Sequence, residues 1–252
     1  MYIISDVVNL VELTLVANKY LKENKMIPEI VHNLPNHKYL FSFFDSEEIT
    51  IEGWVKKLKL NGVKELYISF SRPQDITLLG YKNSFPGGVI SVYENGSVTA
   101  WKQKFLDIGD DYKEILYKEV NINPLLHDMG FLNKFQSNFK YFKCAVKEMI
   151  RFSENLGCEE WKIYFGKVLE LEDIEKAKKC IAVENLNNVI SDKSLCVYAM
   201  AMQAYPFGGM GSWCDEPYSI AISKGLESSY DNYSWGIFSE LMGMLAYVTN
   251  RF

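Results

Sequence analysis

The sequence predicts an α+β protein, with a mixed N-terminal part built on an antiparallel sheet and β-hairpin and a helical C-terminal part. Three observations carry this. Short β-rich runs bounded by Gly, Pro and Asn fill the first half. An Asn-Gly pair, Asn95-Gly96, sits between two such runs in VISVYENGSVTAW, the strongest short-range hairpin signal. Beyond Pro124 the apolar residues change to helical spacing. The change of architecture divides the chain into an α+β part over 1–122 and a helical part over 123–252, either joined as one continuous domain or separate.

The elements follow in order. From Asp6 to Asn24, Val7, Val8, Leu10, Val11, Leu15, Val16 and Leu21 repeat at helical spacing and predict an amphipathic helix. Pro28 and Pro35 bracket a loop, and KYLFSFF from Lys38 to Phe44 predicts a strand. Ser46 with Glu47 and Glu48 marks a helix start, and Gly62 ends that helix just after Asn61. KELYISFS from Lys64 to Ser71 is a second strand, followed by the hairpin and by a run from Tyr112 to Val120 that suits a strand or a charged helix.

In the second half, Phe135, Phe139, Phe142, Val146, Met149, Ile150 and Phe152 predict a helix over Asn133 to Asn155, closed by Gly157. Packing explains the run of Phe131, Phe135, Phe139 and Phe142, which recurs every three or four residues. Further helices are expected over Glu159 to Leu171, Ile174 to Ala182, Ser191 to Ala204 and Asn232 to Thr249.

Composition narrows the function classes. Lys plus Arg number 27 against 32 Asp plus Glu, a net charge of -5 that repels a phosphate backbone, so nucleic acid is not an expected partner. The apolar start MYIISDVVNLVELTLVANKY lacks a basic leader and a small-residue cleavage site, and Asp6 and Glu12 interrupt it. No uninterrupted apolar window reaches the roughly 18 residues that a membrane span needs, so no membrane partner is expected. The five cysteines form no C-x-x-C pair and read as reduced thiols, which suits a cytoplasmic protein. His32 and His37 flank Pro35, and no H-E-x-x-H is present, so neither a metal site nor a cofactor is expected.

The segment most open to chemistry is YPFGGMGSWCDEP, Tyr205 to Pro217, with three glycines, two aromatics beyond its tyrosine, a cysteine and two acids between helices. Glycines permit positive φ and close approach, and consecutive N–H groups can form an anion nest, although neither a G-K-[ST] nor a preceding strand is present. The candidate binding loop is Phe207, Gly208, Gly209, Gly211, Ser212, Trp213, Cys214 and Asp215. The same residues equally suit a tight interhelical turn in which Phe207 and Trp213 plug the core. Cys214 becomes a nucleophile only with a base, and His127 beside Asp128 is the best placed of three histidines to serve.

Over residues 191–250, a helix ending in an apolar-aromatic pair, then FGGMGSW, then a closing helix resembles the C-terminal end of bacterial immunity proteins encoded beside polymorphic or contact-dependent toxins. That pattern carries Asn after the Trp, where this chain has Cys214 and then Asp215; a nucleophile does not interchange with Asn, which argues against a catalytic Cys214. The resemblance implies a cytosolic, non-enzymatic protein that binds and neutralises a toxin domain. The alternative from the residues is a small hydrolase or transferase, or an anion-binding protein, using the loop from Gly208 to Asp215.

Overall fold

In the computed structural model, residues 3–24, 37–44, 47–70, 87–107, 113–122, 139–180, 186, 189–207 and 211–250 are described. The chain forms two compact units. One comprises Asn9–Phe70, Gly87–Lys134 and Thr249–Phe252 and holds the sheet; the other comprises Met1–Val8, Ser71–Pro86 and Phe135–Val248 and is helical in its described residues. The architecture is α+β, as the pattern of elements predicts.

Helix α1, Ile3–Glu23, lies in the sheet unit from Asn9 onward. Leu10, Val11, Leu13, Leu15, Val16 and Ala17 are buried on every side of it, so α1 is a buried helix and not the one-faced helix its spacing suggests. Thr14 satisfies its hydroxyl on Leu10 O at 2.8 Å, within the same helix. The sheet has five strands: β1 His37–Ser42, β2 Val63–Phe70, β3 Gly87–Tyr93, β4 Val98–Asp107 and β5 Lys113–Asn121, in the order β1-β5-β4-β3-β2. Three pairs are antiparallel, whereas β1 joins β5 in parallel from His37↔Lys113 to Ser42↔Lys118, making the sheet mixed.

Local chemistry fixes several boundaries. The β3–β4 turn is at Asn95 and Gly96, where Gly96 takes φ +81° and Asn95 Oδ1 accepts from Ser97 N at 2.9 Å. In β5 the buried residues Ile115, Tyr117 and Glu119 alternate, so period two prevails over the helical reading. Helix α2, Ile51–Leu60, starts later than Ser46 suggests because Thr50 is its cap, accepting from Gly53 N at 3.4 Å; Ser46 lies outside the described residues. Trp54 of α2 stacks on Phe41 at 4.2 Å, and Phe41 stacks on Tyr117 at 5.3 Å. Trp101 meets Phe41, Phe43 and Trp54 edge-on, forming an aromatic core on this face of the sheet.

The helical unit contains α3 Phe139–Leu156, α4 Glu159–Glu170, α5 Ile174–Ala177, α6 Asp192–Gln203, α7 Glu216–Ser223 and, up to Val248, α8 Glu227–Asn250. Helix α3 buries Phe142, Val146, Met149 and Phe152 on one stripe, and Lys224 Nζ donates to the terminal carbonyl of Leu156 at 2.9 Å. The one-turn α5 stops short of Ala182 because Lys179 N and Cys180 N bond three residues back, to Lys176 O and Ala177 O. Residues 131–138, including Phe131 and Phe135, lie outside the described residues, as do Ile181 and Ala182. Helix α7 begins at the last two residues of the glycine-rich segment and runs on to Ser223, where the sequence pattern predicts no element.

Candidate functional site

The loop between α6 and α7 is organised around Trp213, which is 0% exposed, and Phe207, which is 2% exposed. Trp213 N donates to Pro206 O at 3.0 Å, drawing the two ends of the glycine segment together. Its indole Nε1 donates to Ser234 Oγ at 2.8 Å, and its carbonyl accepts from Tyr230 OH at 2.9 Å. The ring lies parallel to Tyr230 at 5.6 Å and edge-on to Phe152, Trp161 and Phe165. Trp213 is thus a core plug of the helical unit.

The described polar groups of the loop bond to one another. Gly211, at φ +75°, donates its N–H to Asp215 Oδ2 at 2.8 Å, so the chain's own carboxylate occupies the backbone donor an anion would seek. Ser212 Oγ accepts from Cys214 N at 3.2 Å. The half-buried Cys214 lies against Tyr230, whose phenol is pushed far up chiefly by burial, with the Cys214 thiol adding to the shift. Gly208, Gly209 and His127 lie outside the described residues.

A second feature of the helical unit is a groove of about 450 Å³. Val197 of α6 and Met244 of α8 form its buried floor, Phe139 and Tyr247 its half-buried sides, and Glu172, Lys193 and Cys196 its rim. That volume lies in the range that accepts a small ligand or a partner's side chains. Glu172 is paired with Lys143 at 3.0 Å, and Lys143 sits over the Phe139 ring at 4.9 Å. Burial raises the Cys196 thiol, and the Asp192 and Asp173 carboxylates raise it further, so it stays protonated at neutral pH and offers a small weakly polar surface. These residues are far apart in sequence; Phe139, Val197 and Met244 fit the helical period of their own helices and Glu172 reads as part of a charged, solvated face, so periodicity gives no sign of the groove.

Among the described residues the sheet unit buries two carboxyl groups, those of Glu12 and Glu119. Glu119 of β5, 1% exposed, accepts at Oε1 from Thr99 Oγ1 at 2.6 Å and from Tyr93 OH, while Oε2 has no partner. Burial and then the bond to Glu119 push Tyr93 up to about 12 from the ordinary 10.0. The folded chain therefore holds this proton more tightly than the unfolded one. The stability this confers is complete below pH 10 and fades as the pH climbs towards about 12. Tyrosinate absorbance should show Tyr93 titrating late, and Glu119→Gln should lower its midpoint; a midpoint unmoved by that change would deny the coupling.

Among the described residues no three His, Cys, Asp or Glu side chains gather as a metal site, and no helix is long and apolar enough to cross a membrane. Comparisons with protein-family models, curated proteins and solved structures give no match.

Proposed function

We propose that this chain is a cytosolic protein that acts by binding another protein, in the manner of an immunity protein that neutralises a toxin domain. The open groove floored by Val197 and Met244 is the observation that carries this reading. It offers apolar surface with a charged rim, the arrangement of a protein-binding hot spot, and its thiol is not an activated nucleophile. In the glycine segment, by contrast, the described glycine donor, Gly211 N–H, is taken by the chain's own Asp215.

The fitting partner is a basic domain that presents an apolar side chain. The chain carries a net charge of -5, and between Gly211 and Glu240 the acids Asp215, Glu216, Glu227, Asp231 and Glu240 stand against the lone base Lys224. Lys224 is itself engaged with the end of α3. Such a field speeds encounter with a basic partner and is screened by salt.

The test is co-expression with the domain encoded at the C-terminal end of the neighbouring upstream gene. Protection of the cell and a complex whose association slows with salt are expected. Phe139→Glu, at the half-buried mouth of the groove, should weaken the complex by about 1–3 kcal/mol while leaving the thermal midpoint unchanged. A neighbourhood of metabolic genes, or a Phe139→Glu variant that binds as tightly as the parent, would count decisively against this reading.

A further inference from the structure

The outward N–H and C=O groups of an edge strand recruit foreign strands. In β2 the alternate residues facing away from β3 include Leu66 and Ile68 at its centre. Each of these two meets one asparagine amide. Leu66 N donates to Asn18 Oδ1 at 2.7 Å, and Asn18 Nδ2 donates back to Leu66 O at 2.8 Å. Two residues on, Ile68 N donates to Asn250 Oδ1 at 3.0 Å, and Asn250 Nδ2 donates to Ile68 O at 3.3 Å.

A primary amide presents the donor and acceptor that one peptide group of a neighbouring strand would present. Asp lacks the donor, and Ala lacks both. Asn18 stands near the end of α1, 5% exposed, and Asn250 is the last residue of α8, within the sheet unit. The opposite edge is also covered, by Ile49, which exchanges backbone bonds with Phe41 of β1 at 2.8 and 2.9 Å. The guarded strand, VKELYISF, is β-rich, and Lys64 and Glu65 cancel, a composition prone to intermolecular pairing.

We propose that Asn18 and Asn250 together form a surrogate strand that keeps β2 from pairing with β2 of a second copy of this chain. The second copy is the natural occupant because antiparallel pairing about a two-fold axis is self-complementary. Centred on Tyr67, it sets Leu66 of one copy opposite Ile68 of the other, matching these two outward residues to each other and placing the two Tyr67 side chains side by side.

The experiment is light scattering on the full chain with both Asn18→Ala and Asn250→Ala, over a range of concentrations. The mass of the double variant should rise with concentration to twice that of the parent. Its Leu66 and Ile68 amides should exchange about tenfold faster in dilute solution and regain protection on association. Adding Tyr67→Lys, which opposes two like charges across the new pair, should return the mass to that of the parent. If the double variant lacks a cooperative melt, Asn250→Ala alone carries the same measurements. A folded variant whose mass equals the parent's at every concentration, or an associated one that Tyr67→Lys leaves associated, overturns the proposal.

Discussion

Replacing Trp213 with alanine is expected to cost the helical unit about 3–5 kcal/mol, a large part of the stability of an ordinary domain. The indole is fully buried and touches rings from α3, α4 and α8, so its removal leaves a cavity that several helices would have to close at once. It also removes a hydrogen-bond donor to Ser234 Oγ. Trp213→Phe separates these contributions: a ring remains, the N–H bond is lost, and the expected cost falls to about 1–2 kcal/mol. Urea unfolding followed by near-ultraviolet circular dichroism reads both. Should the alanine variant lose less than about 1 kcal/mol, the residue is not a core plug, and the glycine segment becomes a ligand loop again.

Trp213 also shows what sequence could and could not yield. Its neighbours FGGMGSW identify an unusual turn, but binding loop and core plug call for the same residues, and only the partner Ser234, on a different helix, decides between them. Elements whose signal is local were legible: the Asn95-Gly96 turn, the Phe142 to Phe152 stripe of α3 and the strands flanking the hairpin. The parallel pairing of β1 with β5 was not, because no turn chemistry joins strands so distant in the chain. Helix α7 is short, opens with Glu216 and Pro217 at the end of the glycine-rich segment, and carries too few residues to show a helical period. The groove was invisible for a related reason, since Phe139, Val197 and Met244 each satisfy a helical period on their own helix. Asn18 did leave a trace: a polar residue among the apolar positions of α1 has to find a partner when buried.

In the sheet unit the corresponding loss is expected at Trp101. This side chain is 1% exposed, lies on β4 between Val89 and Glu119, and donates Nε1 to Ser91 Oγ at 2.7 Å. Trp101→Ala should remove about 3–5 kcal/mol, because Phe41, Phe43 and Trp54 all pack edge-on against its ring. The sharper comparison is between two phenylalanine variants. Trp54 is as deeply buried as Trp101, but its Nε1 has no hydrogen-bond partner. Leaving a donor unmet in the interior is unfavourable, so deleting it gives back part of what the smaller ring loses. Trp101→Phe, which breaks a formed bond and strands Ser91, should therefore cost more than Trp54→Phe by about 1–2 kcal/mol. The urea midpoints of the two variants measure that difference. Equal midpoints, or the reverse order, would show that ring packing alone sets the stability of this face and that the Trp101–Ser91 bond adds nothing to it.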